Sequence, residues 1–393
     1  MIDIIAKIDC TGCKMCADTC PVQAISFKTD NEGFWYPSVD YKKCLKCKKC
    51  ISTCPSLNKM FNSKTYEPTV YAAWAKDDII RTTSTSGGCF YLLAEKMIQN
   101  SGYIAACIYS EDYKTAYHVI SNSVDDLNKL KGSKYFQSDT AGIYKTVKKQ
   151  LDEGKKVLFC GAPCHVGGLN SFLGKKDYEN LITVDFICRG INSPKVFRRY
   201  VEDLEERYHA PVTRVHLKNK KKGWTHLGTY MEFANGKKYY RDRINDPWVN
   251  GFIVGNLFMR PCCSKCKYKE RLRVADISIG DFWGLPSTTE NLFKGISLVL
   301  TNTDKGEIYF SSIKDKLYVE PRTYEEASNG NGCLLNPAPM GEKRGEFFRR
   351  LDNEKYEPLI WDLIGKTKID IFKEHTKYVV LNILRSIKHY GHS

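Results

Sequence analysis

From residue 70 onward, apolar residues recur at strand and helix spacings by turns, a texture that predicts an α/β layer. Val70–Ala75 is a short apolar run of strand length, and Ser84-Thr85-Ser86-Gly87-Gly88 is a turn opening a helix through Leu92, Leu93 and Met97. Tyr103–Tyr109 and Tyr117–Ile120 read as strands. Ile143, Val147 and Leu151 share one helical face, and Gly154 closes that helix. Val157–Cys160 is a strand that turns through Gly161-Ala162-Pro163-Cys164 into a helix expected from Val166. Leu181–Ile187 is the next strand, ending at Cys188-Arg189-Gly190. Ser193 and Pro194 form an N-cap and first-turn pair for a helix through Phe197, Tyr200 and Leu204. Shorter β-like pieces surround Thr213–Leu217, Thr229–Phe233 and Lys237–Tyr240, with further strands at Ala275–Gly280 and Ile296–Asn302. The tail from Ile369 to Tyr390 reads as an amphipathic helix, expected to pack on its own domain, with a membrane surface or partner helix as the rival.

Residues 1–60 keep neither rhythm; their signal is cysteine. Cys10, Cys13, Cys16 and Cys20 precede Pro21, and the pattern returns 34 positions later as Cys44, Cys47, Cys50, Cys54 and Pro55. A C-x2-C-x2-C-x3-C-P run is the bacterial ferredoxin pattern, in which the fourth cysteine of each run ligates the other 4Fe–4S cluster. The expected sets are therefore Cys10, Cys13, Cys16 and Cys54 for one cube, and Cys44, Cys47, Cys50 and Cys20 for the other. Zinc sites pair short hairpins around one ion, and disulfide frameworks belong to short secreted chains, so both fit the doubled run poorly. A helical repeat is disfavoured too, because what repeats is cysteine and there are two copies. The polar stretch Ser56 to Pro68 reads as a linker.

Composition adds compartment and partners. With 393 residues, two or three domains are expected. No apolar stretch is long enough to span a membrane, the first residues lack a signal-peptide pattern, and 17 cysteines then mean metal and redox chemistry in the cytoplasm. The net charge of +15 is reduced by cluster charge, and the remainder suits acidic partners. Nucleic acid is not expected, because the longest basic run, Lys218 to Lys222, lacks a stacking platform and reads as a solvated loop.

Nine cysteines lie outside the doubled run. Cys89, Cys107 and Cys160 fit the role of small buried residues, and Cys262 and Cys333 carry no assignment. Cys263 and Cys266 form a C-x2-C turn, while Cys164 and Cys188 each follow a strand end, where α/β sheets gather cofactors. Those four could hold a third 4Fe–4S cube or a zinc ion.

Five ordered motifs then carry a resemblance: Ser84-Thr85-Ser86-Gly87-Gly88, Gly132-Ser133-Lys134-Tyr135, Gly161-Ala162-Pro163-Cys164, Asp185-Phe186-Ile187-Cys188-Arg189-Gly190, and Asp276-Ile277-Ser278-Ile279-Gly280-Asp281-Phe282-Trp283-Gly284. With the Cys263–Cys266 turn, the chain resembles the coenzyme F(420) hydrogenase/dehydrogenase beta-subunit family from about residue 66 to about residue 300. The resemblance implies a flavoprotein that passes electrons between a 4Fe–4S cluster, a flavin (FAD, with FMN as the alternative) and a small organic acceptor. It implies Cys164, Cys188, Cys263 and Cys266 as the third cluster's ligands. Ser84, Ser86, Gly87 and Gly88 would lie against the flavin phosphates, and Ser133, Lys134 and Tyr135 would sit near its ring, with Lys134 the candidate catalytic group. His165 and Arg189 depart from the family's usual residues beside Cys164 and Cys188, and Arg189 is expected to place a cation against the third cluster.

The expected architecture is α+β / α/β: a small ferredoxin-like dicluster module, then a mixed α/β flavin- and cluster-binding domain with a C-terminal helical tail. Its boundaries are expected at 1–60 for the dicluster module, 66–155 and 156–320 for the two parts of the family-like domain, and 321–393 for a C-terminal extension. The expected function is an iron–sulfur flavoprotein oxidoreductase, ferredoxin- or deazaflavin-linked, with reduced ferredoxin or another electron-transfer protein as partner. The rivals are a non-enzymatic electron-transfer subunit and a reductase of surface-polysaccharide biosynthesis.

Overall fold

The computed structural model describes residues 1–58, 66–174, 176, 178–285, 293–367, 369–370, 372–374, 376 and 380. The linker expected over 56–68 and the tail helix expected over 369–390 fall largely outside these residues.

The dicluster module is a small antiparallel hairpin, β1 (Ile25–Thr29) with β2 (Trp35–Val39), and two one-turn helices, α1 (Met15–Asp18) and α2 (Lys49–Ser52). The 34-residue repeat survives in the backbone. Gly12 and Lys14 take φ of 68° and 60°, and their counterparts Lys46 and Lys48 take 54° and 61°. These left-handed residues curl each tricysteine loop inward.

The remaining strands are β3 (Thr69–Ala75), β4 (Tyr103–Tyr109), β5 (Ala116–Ser121), β6 (Val157–Cys160), β7 (Leu181–Phe186), β8 (Val212–Asn219), β9 (Gly228–Phe233), β10 (Lys238–Asp242), β11 (Ile277–Asp281), β12 (Ser297–Thr301) and β13 (Leu317–Arg322). Eight of them form one mixed sheet in the order β13-β3-β12-β11-β7-β6-β4-β5. Its centre, β4, β6, β7 and β11, is parallel, and the flanking pairings are antiparallel. Strands β8, β9 and β10 make a separate antiparallel sheet.

Helices cover both faces of the large sheet. They are α3 (Asp78–Thr83), α4 (Cys89–Gln99), α5 (Leu127–Leu130), α6 (Ile143–Asp152), α7 (Pro163–Leu173) and the helix Asp304–Ser311, while α8 (Pro194–Tyr208) packs elsewhere. In β6, Leu158 packs with Leu92, Leu93 and Met97 of α4, while Val157 and Phe159 pack with α6 and α7 on the other side. A strand buried on both faces reads as an unbroken apolar run, which is why Val157–Cys160 stands out in the sequence. A third core joins α8, the small sheet and the helix Tyr356–Ile364 around Trp248, Phe258 and Tyr356.

Several boundaries differ from expectation. Helix α7 starts at Pro163 rather than Val166, because proline fits the first helical position, where no N–H is needed. Strand β11 starts at Ile277; the Asp276 carboxylate accepts from the N–H and hydroxyl of Thr183, both at 2.8 Å. The segments 66–155 and 156–320 contribute to the same sheet, and the 320/321 boundary cuts through β13.

Candidate functional site

Each set of four cysteines in the dicluster module walls one small cavity. Cys10, Cys13, Cys16 and Cys54 line one, and Cys20, Cys44, Cys47 and Cys50 line the other. Backbone N–H groups point at the sulfurs, from Ala24 to Cys20 at 3.3 Å and from Lys46 to Cys44 at 3.4 Å. Burial pushes the Cys13 thiol up to about 12, and Cys54 and Cys10 add repulsion, so these thiolates need positive iron to ionise together. The donor set fits iron–sulfur cubes. Among the described residues no three His, Cys, Asp or Glu side chains converge as a single metal ion would need.

The four scattered cysteines also come together. Cys164 in the first turn of α7, Cys188 after β7, and Cys263 and Cys266 on the following turn wall a cavity of about 40 Å³. Burial raises the Cys164 thiol well above its ordinary value, with Cys188, Cys263, Cys266 and then Cys13 adding repulsion. The Ile191 N–H donates to Cys263 Sγ at 3.3 Å. Arg273 fixes the turn, donating to the Tyr268 carbonyl at 3.1 Å and pairing with the buried Asp185 at 3.0 Å. Cys262, left without a role by the sequence, lines the same cavity.

Arg189 lines this cavity but commits its guanidinium elsewhere, donating to the Ile253 carbonyl at 3.0 Å and Asn256 Oδ1 at 2.8 Å. The cation facing Cys188 is Lys269, whose Nζ donates to the carbonyls of Cys188 and Cys333.

The third set lies against the first. Gly167 and Gly168 of α7 permit the approach: a Cβ on Gly167 would sit 2.4 Å from Tyr268 Oη, and one on Gly168 would sit 2.9 Å from Tyr144 Oη, with Cys13 Sγ at 3.4 Å. Arg260, fully buried, donates to the Cys10 carbonyl at 2.8 Å, Gln137 Oε1 at 2.9 Å and the Trp35 carbonyl at 3.0 Å. Tyr144 and Thr140 hydroxyls donate to the Cys13 carbonyl at 2.9 and 2.7 Å, and Asp18 accepts from the N–H groups of Gly142 and Tyr144. These buried bonds hold the module on the main domain.

Beyond the third set, at the carboxyl ends of β4, β6, β7 and β11, is a cavity of about 540 Å³. That edge is where open α/β sheets bind ligands, and the volume lies in the usual range of about 300–1,000 Å³. Cys188, Arg189, Gly190 and Ile191 line both this cavity and the third cysteine cavity, so one loop separates the two. Lys131, Lys134, Arg189, Lys218 and Arg243 face it, against one carboxylate, Asp281, among the described residues. Tyr135, Phe136, Trp248, Phe252 and Trp283 supply aromatic wall. Helix α4 begins on it, and its first N–H groups lack intrahelical partners. Ser84 Oγ, His118 Nε2 and both ring nitrogens of His165 are buried there without a hydrogen-bond partner among the described residues. Orphaned polar atoms of this kind, an anion-attracting wall and aromatic faces fit a flavin.

Ser84, Ser86, Gly88, Ser133, Lys134 and Tyr135 all line this cavity. Gly87 does not. Its N–H donates to Ser297 Oγ at 2.9 Å and its carbonyl accepts from Ala75 at 2.8 Å, so both groups belong to the sheet and neither is left for a phosphate. Lys134 spends its ammonium on the carbonyls of Lys129, Leu130 and Lys131, at 3.0, 3.2 and 3.1 Å, which makes it a source of charge rather than a free donor. Cys89 lies in the core and Cys107 and Cys160 pack against it, as small buried residues do; all three also touch the cavity wall, where burial keeps their thiols protonated.

The basic run is not a solvated loop throughout. Lys218 pairs with Asp281, and Lys220 Nζ donates to the carbonyls of Arg81, Ser86 and Lys294, tying down the Ser84–Gly88 turn. Alternation at the end of β8 sends these two inward and leaves Lys221 exposed. His118, His165, Lys220 and Arg260 were missed as site residues because nothing local in sequence marks an inward-facing lysine, arginine or histidine.

Residues 154–327 match the family model for the C terminus of the coenzyme F420 hydrogenase/dehydrogenase beta subunit, and residues 9–58 match the 4Fe–4S dicluster domain. No curated protein matches the chain. Among solved structures it is similar to a chain of the xenon-derivatised F420-reducing NiFe hydrogenase complex from Methanosarcina barkeri. The identity is 17% and the TM-score 0.48, over 76% of this chain and 93% of that one. Among the described residues, no helix is long and apolar enough to cross a membrane.

Proposed function

We propose that this chain, which over residues 154–327 belongs to the coenzyme F(420) hydrogenase/dehydrogenase beta-subunit family and carries a 4Fe–4S dicluster domain, is an iron–sulfur flavoprotein oxidoreductase. Its donor would be a reduced ferredoxin or another electron-transfer protein, and its acceptor a small organic molecule. The observation that carries the reading is the Cys188–Ile191 loop, which walls both the third cysteine cavity and the large one.

When bound, the cubes exchange single electrons and the flavin (FAD, or FMN) exchanges one or two, which joins one-electron supply to two-electron reduction. The chain's own groups then have distinct tasks. The N–H groups opening α4 and the ammonium of Lys131 receive phosphate. Buried His118, held by Ser138 through Nδ1 and open at Nε2, and His165, open at both ring nitrogens, would supply hydrogen bonds to a polar ring edge. Lys134 keeps positive charge in the wall, where negative charge on a reduced ring is stabilised. Arg260, Tyr144 and Thr140 hold the dicluster module at a fixed distance from the third site.

The test is an acceptor screen on anaerobically purified protein reduced with methyl viologen radical. The reading expects at least one small organic acceptor to reoxidise it, taking about two electrons per molecule as flavin chemistry requires. A protein that surrenders its electrons only to another protein would be an electron-transfer subunit instead.

A further inference from the structure

We propose that the loop Cys44–Cys50 is the docking face for an acidic one-electron carrier protein, and that electrons are admitted there and not at the first cysteine run. The proposal rests on the reading above in taking the eight module cysteines as cluster ligands.

The two runs are sequence copies, yet the fold buries the loop of the first and leaves the leading cysteines and the lysines of the second at the surface. In the first, Cys10, Cys13 and Cys16 are buried, and Lys14 is buried with them, its Nζ 2.7 Å from Asp139 and 4.3 Å from the Trp35 ring centre. In the second, Cys50 is likewise buried, but Cys47 is exposed and Cys44 half-buried. Lys42, Lys43, Lys46, Lys48 and Lys49 stand exposed around them. The acidic groups nearby are few. Asp40 lies 3.9 Å from Lys43, and Asp3 is held by the N-terminal ammonium at 3.0 Å and by the Tyr41 hydroxyl. Leu45, 66% exposed, adds an apolar point amid the lysines.

Backbone conformation points the same way. The position occupied by Gly12 in the first run, at φ 68°, is occupied by Lys46 in the second, at φ 54°. A side chain in that left-handed region is strained where glycine is not. The structure retains a lysine there, on the side of the module that faces solvent. A compact, strongly cationic rim around an exposed cysteine fits a partner of opposite charge met briefly over a small area, as redox encounters are. The step is a single electron leaving the carrier and entering the chain, with no bond made or broken and no proton moved.

The experiment uses reconstituted full-length protein and a dye-labelled small acidic bacterial-type ferredoxin, with binding read by fluorescence anisotropy. At about 10 mM salt, where the Debye length is about 30 Å, wild type should bind, and at about 1 M, where it is about 3 Å, binding should collapse. Lys42→Glu, Lys46→Glu and Lys49→Glu together should weaken binding at low salt by at least about tenfold, the lower bound of electrostatic steering. Reversal of the exposed Lys237 and Lys238, on the hairpin between β9 and β10, should change nothing. Iron content and reduction by the cationic methyl viologen radical should persist in the triple variant, with the radical reacting as fast or faster. Equal loss in the control, or salt-independent binding unaffected by the triple reversal, would overturn the proposal. A chain that binds ferredoxin through this face yet reduces no small acceptor would retire the oxidoreductase reading alone. One that reduces acceptors from viologen but ignores ferredoxin would retire the docking face alone.

Discussion

The guanidinium of Arg260 reaches the carbonyl of Cys10 at 2.8 Å, joining the main domain to the dicluster module through a fully buried cation. Arg260 lies two residues before Cys262 in sequence, so it springs from the same turn that presents Cys263 and Cys266. One side chain thus couples the first cysteine set to the third.

Removing Arg260 should loosen the module rather than unfold the sheet. Arg260→Met leaves the Cys10 and Trp35 carbonyls and Gln137 without their donor, a loss of about 3–5 kcal/mol on the scale of broken buried charged networks. Hydrogen exchange should rise in the β1–β2 hairpin while β6 and β7 stay protected. Unchanged exchange in the hairpin would show that Tyr144, Thr140 and Asp18 suffice.

Cys262 and Cys263 are neighbours with different expected fates. Cys263→Ser should remove about four irons per chain, the content of one cube, and leave the paired-cluster EPR signal of the dicluster module. Cys262→Ser should keep all of the iron. A reversed outcome would exchange their roles, and loss of every cluster in either variant would break the grouping into three sets.

Flavin retention should depend on Lys131 and not on a phosphate contact at Gly87. Lys131→Glu reverses a charge on the cavity wall and should lower flavin content severalfold with iron unchanged. Gly87→Ala would put a Cβ 2.3 Å from the Ala73 carbonyl oxygen and 2.7 Å from Ser297 N, so it should cost overall stability, read by urea denaturation. Full flavin occupancy in Lys131→Glu would move the phosphate elsewhere.

Asp246 should give the stability curve a component of definite sign. Burial pushes its carboxyl up to about 6, against hydrogen bonds from Val249 N–H and the Tyr200 hydroxyl that favour the charged form. The unfolded value is about 3.9, so between the two the folded state holds more protons and stability falls as pH rises. Wild type should therefore lose about 1 kcal/mol relative to Asp246→Asn between about pH 5 and about pH 7. A constant difference between the two proteins would mean that Asp246 titrates normally.

The parallel centre of the sheet was legible because β4, β6 and β7 are apolar on both faces and punctuated by Gly and Pro. The β1–β2 hairpin was not, because Ile25–Thr29 is mostly half-buried or exposed and Pro37 interrupts its partner. Strand β13 hid for the same reason, an edge strand carrying Pro321. Cysteine spacing found the ligand candidates, since their identity is local. It could not find Arg260, Lys220 or Lys269, whose roles depend on contacts with residues far away in sequence. Adjacency also misled at Arg189, a neighbour of Cys188 in sequence whose guanidinium is spent on Ile253 and Asn256, and at Gly87, where a glycine suited to an anion serves packing against β3 and β12.

The central claim is that three four-cysteine sets and one flavin cavity form a continuous route through this chain. Iron, acid-labile sulfide, zinc and flavin, all quantified on the anaerobically purified, reconstituted protein, test it most directly. The expected result is about twelve irons and about twelve sulfides per chain, on the rule of four per cube, with stoichiometric flavin released on denaturation. About eight irons with stoichiometric zinc would contradict the third cluster, and full iron with no flavin after incubation with FAD or FMN would contradict the assignment of the large cavity.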